Sequence, residues 1–117
     1  MKAREKAPEI PAEANKRREP RRRTLLTGRL FTEEGVSVAC VIRDLSTNGA
    51  AVKLQGAIAL PRLISLIDIS NGIGHQAQVR WRFRDLVGLR FLRSYDLSSP
   101  GSPEAASLAH RWASLRA

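Results

Sequence analysis

Two polar segments have the residue types and spacing that could hold a ligand. The first, KRREPRRRT at residues 16–24, places five arginines and one lysine around a proline and a glutamate. It is either a solvated basic tail that binds polyanions loosely or a segment that grips one defined ligand. The second, residues 44–49, reads D-x-S-x-x-G and follows an apolar run. Alone it indicates only a turn, because Asp and Ser commonly hydrogen-bond turn backbones.

No pattern in the chain is typical of catalysis. His75 falls in a predicted turn and His110 on a predicted final helix, without an H-x-x-H pair, and no phosphate-binding glycine loop occurs. The single cysteine, Cys40, lies in the apolar run 38–42, so we expect a small buried hydrophobe. One cysteine forms neither an internal disulfide nor a cysteine-based metal site. We therefore predict no catalytic residue, no metal ligand and no cofactor: the protein is expected to bind rather than to catalyse.

The charge distribution predicts a basic arm attached to one ordinary domain. The chain has 117 residues and a net charge of +9. Residues 1–23 hold nine Lys and Arg against four Glu and so carry +5, whereas the rest holds eleven against seven Asp and Glu and carries +4. This asymmetry favours an anionic partner. No apolar run reaches the roughly 18 residues of a membrane span, and the charged N-terminus is not a secretory signal, so we expect a cytoplasmic protein without membrane insertion.

Alternating polar and apolar residues predict an all-β domain. Residues 1–16, rich in Ala, Glu, Lys and Pro, are expected to be disordered. Six short runs after them alternate as strands do, and turns containing Gly, Asn or Asp separate most of them. They cover approximately residues 24–32, 36–45, 50–54, 63–69, 75–84 and 86–92. Six such strands predict a small closed or nearly closed antiparallel barrel.

The same alternation predicts which side chains form the core. In the second strand we assign Val36, Val38, Cys40 and Ile42 to one apolar face. In the fifth we assign Ala77, Val79, Trp81 and Phe83 to the core, and Gln78, Arg80, Arg82 and Arg84 to solvent. Nucleic-acid-binding barrels present aromatic rings on the strand surface. With Trp81 and Phe83 in the core, a nucleic-acid-binding barrel is a weaker hypothesis, and no specific DNA or RNA partner is expected.

A short helix is predicted at the C-terminal end. Ser102 is a suitable N-cap, Pro103 fits the first helical position and Glu104 fits the first turn. Leu108, Trp112 and Leu115 then share one face. We expect Trp112 to pack on the barrel or on a partner subunit.

Together, before the first strand and after the second, the two polar segments resemble the motifs of the PilZ domain family, which binds the bacterial messenger cyclic di-GMP. The resemblance runs from about residue 16 to residue 92 and includes the closing strand 87–91. The family's R-x-x-x-R maps best onto Arg17 and Arg21, with an overlapping register at Arg18 and Arg22. In the first register Arg22 and Arg23 fall outside the motif. No second domain is evident, so the chain is similar to stand-alone PilZ proteins.

The resemblance implies a six-stranded antiparallel PilZ-like β-barrel with a short C-terminal helix and a flexible basic arm. We divide the chain into a tail at 1–16, a PilZ domain at 17–97 (arm 17–23, barrel 24–93) and a linker with helix at 98–117. The implied cyclic di-GMP site consists of the arginines of both R-x-x-x-R registers with Asp44, Ser46 and Gly49.

In that site, arginines would grip phosphates or guanine edges through their planar forks. Asp44 would accept from guanine N–H groups or hold an arginine, Ser46 would offer a hydroxyl, and Gly49 would allow close backbone approach. Binding would order the arm and so alter contact with a downstream protein partner. The alternatives are a PilZ-like adaptor that binds a protein without nucleotide and a non-specific nucleic-acid-binding barrel.

Overall fold

The computed structural model describes residues 22–116, in which the alternating runs form six antiparallel strands. The elements are β1 (Arg22–Phe31), β2 (Ser37–Leu45), β3 (Gly49–Leu54), β4 (Leu63–Asp68), β5 (Ile73–Phe83), β6 (Leu86–Asp96) and α1 (Pro103–Arg116). The strand order β1-β2-β3-β6-β5-β4 closes into a barrel because β1 pairs with both β2 and β4. The predicted barrel with a C-terminal helix is confirmed. The predicted tail 1–16 and arginines 17, 18 and 21 lie outside the described residues.

Apolar side chains from alternate positions of the strands fill the barrel interior. Its buried members are Leu30, Val38, Cys40, Ile42, Val52, Leu54, Ile64, Leu66, Ala77, Val87 and Leu89. Cys40 is fully buried as predicted, and burial raises the pKa of its thiol to about 12. The thiol therefore stays protonated at neutral pH and acts as a hydrophobe.

The start of β2 corrects the predicted core face of that strand. Val36 was assigned to the core, but it precedes the strand in the β1–β2 turn and is 51% exposed. Gly35 reverses the chain there with a φ of 91°, a conformation that favours glycine. The strand therefore begins one residue later, at Ser37, and Val38 is the first buried residue of β2.

Helix α1 covers the outer face of the barrel beside β4. Its N-terminus begins as predicted: the Ala105 N–H donates to Ser102 Oγ at 3.1 Å, which makes Ser102 the N-cap. Leu108 packs with Phe31, Ile67 and Leu97 in a second apolar cluster. Because α1 packs over Ile67, β4 is buried on both faces.

Trp112 fixes the other end of α1 against the barrel. Its Nε1 donates to the Ile69 carbonyl at 2.9 Å. Its ring lies on Gly72, where a Cβ would come within 2.6 Å of the indole. Of the two predicted positions for Trp112, the barrel is therefore the one observed.

The outer half of β5 departs from the predicted core assignment. Arg80 is an extra residue in the β5–β6 ladder, so Trp81 pairs with Gly88 instead of the buried Val87. An inserted residue reverses the inward and outward alternation beyond it. Trp81 and Phe83 consequently lie on the outer face, 50% and 63% exposed, and their assignment to the core was wrong.

His75 was assigned both to a turn and to the first position of the predicted fifth strand, 75–84; it lies inside β5 and is buried. Its ring stacks on Phe91 with a centroid distance of 3.7 Å, and its Nδ1 lies 2.7 Å from Ser94 Oγ. Burial lowers the pKa of His75 to about 4, although the nearby Asp68 raises it. The imidazole is therefore neutral at pH 7 and belongs to the packed interior.

Within residues 22–116, no helix combines the length and the apolar character that crossing a bilayer requires.

Candidate functional site

The D-x-S-x-x-G segment forms the connection between β2 and β3. Ser46 closes this turn twice, since its N–H donates to the Gly49 carbonyl at 2.9 Å and its hydroxyl donates to the same oxygen at 3.3 Å. The turn is also tied to β6, because the Phe91 N–H donates to the Asn48 carbonyl at 2.7 Å. Asp44 precedes the turn at the end of β2, so the three motif residues are held on one hydrogen-bonded connection.

Gly49 is required at the first position of β3 by the closeness of β6. A Cβ there would lie 2.3 Å from the Leu89 carbonyl oxygen, far inside van der Waals contact. The positive φ angles among the described residues belong to Gly35, Gly72 and Arg84, so Gly49 does not adopt the left-handed conformation. Its function in the fold is close strand approach. The same approach keeps the surface beside the turn free of a side chain.

Two β-bulges face each other beside Asp44. In the β1–β2 ladder, Arg23 pairs with Asp44 but Leu26 pairs with Ile42, so β1 has excess residues opposite Arg43. Arg43 is itself the extra residue in the β2–β3 ladder. Bulges bend the strand and redirect side chains. Here they shape an opening on the outer surface next to the motif.

The opening is a cleft of about 570 Å³ between β1 and β2. Its lining residues are Arg23, Thr24, Leu25, Arg43 and Asp44. The Thr24 hydroxyl donates to the Ile42 carbonyl, which holds the β1 bulge against β2.

The charges of this cleft suit an anion that also carries N–H donors. The guanidinium-bearing residues Arg23 and Arg43 are exposed, whereas Asp44 is half-buried between them and the turn. No ion pair to Asp44 occurs among residues 23–116, whose side chains the structure describes. A forked guanidinium binds phosphate oxygens, and an ionised carboxylate accepts two or more hydrogen bonds. The arrangement can therefore contact a phosphate and a ring N–H at the same time.

The predicted arginine segment directly precedes β1, the strand that lines one side of this cleft. Arg22 pairs with Leu45 at the start of β1, immediately before Arg23. Residues 17 and 21 precede Arg22 by five and one positions, so a fully extended chain carries them at most about 18 Å and 4 Å from it. The structure brings Asp44, Ser46, Gly49 and the backbone of Arg22 together. The other three predicted arginines lie outside the described residues.

Sequence reasoning missed Arg23 and Arg43 as lining residues. Arg43 directly precedes the D-x-S-x-x-G motif. The alternation of polar and apolar residues does not reveal the bulge that places Arg43 in the cleft. Arg23 was placed outside the favoured R-x-x-x-R register, and the pairing that sets it opposite Asp44 is a property of the folded ladder.

A smooth strip of barrel surface extends from Asp44 across three further strands. Asp44 pairs with Ala51, Ala51 pairs with Gly88, and Gly88 pairs with Trp81. Neighbouring strands lie about 4.8 Å apart, so Trp81 is roughly 14 Å from Asp44 along this row. Ala51 presents only a methyl group on this row, and the Trp81 indole lies across Gly88. Trp81 was also missed, because the Arg80 bulge that turns it outward has no signal in the sequence.

Metal ligation has no support among the residues described. No group of three or more His, Cys, Asp or Glu side chains in residues 22–116 is placed to hold a metal ion.

A comparison with protein families gives one match that includes the cleft. The model of the PilZ domain matches residues 15–100, which contain both motifs and all six strands. No curated protein gives a significant match to the chain.

Proposed function

Because the chain belongs to the PilZ domain family, we propose that it is a receptor for cyclic di-GMP that binds the messenger between the D-x-S-x-x-G turn and the arginine segment before β1. PilZ domains are in general cyclic di-GMP receptors and act as binding domains without catalysis. No cofactor is required for this function.

The observation that carries the proposal is the cleft beside Asp44. It combines two guanidinium groups with one half-buried carboxylate, and it opens where the arginine segment joins β1. Cyclic di-GMP presents two phosphates and two guanines, so it offers oxygens for arginine and N–H donors for a carboxylate. This favours the interpretation of KRREPRRRT as a segment that grips one defined ligand over its interpretation as a loose polyanion-binding tail.

Each residue of the proposed site has a role that follows from its side chain. Arg17 and Arg21, or Arg18 and Arg22 in the overlapping register, contact phosphates or guanine edges, and Asp44 accepts from a guanine N–H. Ser46 acts mainly by fixing the turn, since its hydroxyl already bonds the Gly49 carbonyl. Gly49 keeps the adjoining surface open.

Ligand binding orders the arginine segment against the barrel and so changes the surface that a downstream protein partner meets. Ordering a segment costs conformational entropy, and ligand contacts must offset it. This coupling is how a small receptor without catalytic chemistry transmits a signal.

Isothermal titration calorimetry with cyclic di-GMP tests the proposal. Asp44→Ala should weaken binding while the circular dichroism spectrum stays that of a folded barrel, because Asp44 lies at a strand end. Glu34→Ala is the matched control, since it removes an exposed carboxylate from the β1–β2 turn at the opposite end of these strands. Wild-type affinity in Asp44→Ala, or absence of binding heat in the wild type, would reject the site.

A further inference from the structure

A groove on the outer surface separates α1 from the barrel, and we call it the α1 groove. It has a volume of about 370 Å³ and lies between the first turns of α1 and the end of β1. Three of its lining residues form one row across the sheet, since Ser65 of β4 pairs with Phe31 of β1 and with Gln76 of β5. Because β1 runs from Arg22 to Phe31, roughly 30 Å of strand separates the start of β1 from the groove.

Several polar side chains of the α1 groove have no partner within residues 23–116, whose side chains the structure describes. The half-buried Ser65 and Gln76 and the exposed Ser107 form no side-chain hydrogen bond there. Thr32 is 8% exposed, and although its Oγ1 accepts from the Val36 N–H at 3.1 Å, its own O–H has no acceptor among these residues. Buried polar groups are normally hydrogen-bonded. The groove is therefore suited to a chain that supplies peptide donors and acceptors.

The charges of the α1 groove are unlike those of the rest of the molecule. Glu33 and Glu104 both line it, and neither forms an ion pair within residues 23–116. The only other glutamate of those residues, Glu34, belongs to the same turn as Glu33. Arg111 also lines the groove, with its guanidinium carbon 4.7 Å from the centroid of the Phe31 ring. A chain with a net charge of +9 thus has one groove with two unpaired carboxylates beside a single guanidinium.

The arginine segment has the complementary pattern of charge. Residues 16–21 read K-R-R-E-P-R, with one glutamate between basic residues. Its arginines match the two carboxylates of the groove, and Glu19 matches Arg111. The segment as a whole cannot fill the groove of its own chain, because residue 21 stays within about 4 Å of Arg22 while the groove begins at the far end of β1. The matching segment therefore has to come from a second copy.

We propose that the α1 groove of one copy binds residues 16–21 of a second copy, and that two copies exchange these segments in a symmetric dimer. Two chains lying side by side in opposite directions bring the start of each β1 beside the end of the other. Both grooves are then filled by the same contact, so the assembly closes at two copies. Arginine–carboxylate pairs supply charge-assisted hydrogen bonds in each groove.

The dimer controls access to the messenger, and this step rests on the proposed function. A segment held in the groove of a partner is not available to the cleft of its own chain. Cyclic di-GMP and the second copy therefore compete for the same arginines. Since the two binding events exclude each other, the messenger dissociates the dimer, and dimerisation weakens messenger binding as the protein concentration rises.

Sedimentation equilibrium of the full chain tests the dimer, at an ionic strength of about 0.1 M, where charges within about 10 Å still interact. Glu33→Gln and Glu104→Gln should each raise the dimer dissociation constant about tenfold, because a charge-assisted hydrogen bond is lost. Asp85→Asn is the matched control, since it removes an exposed carboxylate from the β5–β6 turn, outside the groove. Equal dissociation constants in all three variants would overturn the proposal.

An exchange of charge between two variants shows whether the contact joins separate copies. Glu33→Lys/Glu104→Lys should be monomeric, because its groove repels the arginine segment. Arg17→Glu/Arg21→Glu should be monomeric, because its segment is repelled by the carboxylates of the groove. An equimolar mixture should form a heterodimer, since each segment then meets a groove of opposite charge. A mixture that stays monomeric, while both variants keep the circular dichroism spectrum of the wild type, would contradict the exchange.

Addition of cyclic di-GMP distinguishes a failure of this inference from a failure of the proposed function. The wild-type dimer should dissociate at saturating messenger, whereas the Asp44→Ala dimer should persist. Calorimetric binding of the messenger to a protein that forms no dimer would leave the proposed function standing and overturn this inference. A charge-exchanged mixture that dimerises, in a protein that does not bind the messenger, would support the dimer and reject both the proposed function and the competition.

Discussion

Arg23 lies directly opposite Asp44 in the β1–β2 ladder, and both residues line the cleft that the facing bulges open. The arginine-rich segment and the D-x-S-x-x-G turn are thus joined by adjacent backbone positions. An arginine outside the favoured R-x-x-x-R register therefore shares the candidate site.

We predict that Arg23→Ala lowers the affinity for cyclic di-GMP by about tenfold, because a charge-assisted hydrogen bond to phosphate is lost. Calorimetric titration at one salt concentration measures this. Arg93→Ala removes the same charge from an exposed position of β6 outside the cleft and should bind like the wild type. If the two variants bind equally well, Arg23 does not contact the ligand.

Much of the barrel could be predicted from the sequence because its strands obey a period of two. The core positions Val38, Cys40 and Ile42 follow from that period alone. The start of α1 could also be predicted from the sequence, because the Ser102 side chain caps the helix by accepting from an N–H only three residues away, that of Ala105.

The cleft and the outward turn of Trp81 could not be predicted in the same way. Both depend on β-bulges, at Arg43 and at Arg80, and an inserted residue leaves the local composition of a strand unchanged. A bulge is defined by the partner strand, so its effect on Arg23 or Trp81 becomes visible only in the ladder.

A second prediction concerns Gly49 and the stability of the barrel. In Gly49→Ala the new Cβ would meet the Leu89 carbonyl oxygen at 2.3 Å, and backbone atoms of β6 cannot rotate away. We expect a loss of roughly 1–3 kcal/mol in the free energy of unfolding, the usual cost of forcing a group into a packed site. Urea denaturation followed by circular dichroism measures it.

Gly101→Ala is the control for Gly49→Ala, because no heavy atom outside the adjacent residues lies within 4 Å of its Cβ position. Equal stability of the two variants would show that the β3–β6 approach at Gly49 is looser than described.

The buried His75 predicts a defined pH dependence of stability. The pKa of His75 is about 4 in the folded protein and 6.5 as its ordinary value, so protonation favours the unfolded chain. The stabilisation is complete above about pH 6.5 and is lost as the pH falls through about 4, to a total of roughly 3 kcal/mol. We expect His75→Phe, which can still stack on Phe91, to remove this part of the acid destabilisation.

Chemical denaturation near pH 7 and near pH 4 compares the variants. His110→Gln changes an exposed histidine on α1 and should keep the wild-type pH dependence. A His75→Phe variant that loses as much stability on acidification as the wild type would contradict a neutral, buried His75.

Titration of cyclic di-GMP into the double variant Arg17→Lys/Arg21→Lys tests whether the arginine segment recognises the messenger through its planar guanidinium groups. The substitution keeps the charge but removes the planar forks, so we predict a loss of about 1–3 kcal/mol, or roughly 5- to 150-fold in affinity. Arg18→Lys/Arg22→Lys examines the overlapping register, and Arg93→Lys/Arg111→Lys is the matched control elsewhere on the molecule. Wild-type affinity in both arm variants would show that charge alone acts there, and KRREPRRRT would then be a loose polyanion-binding tail.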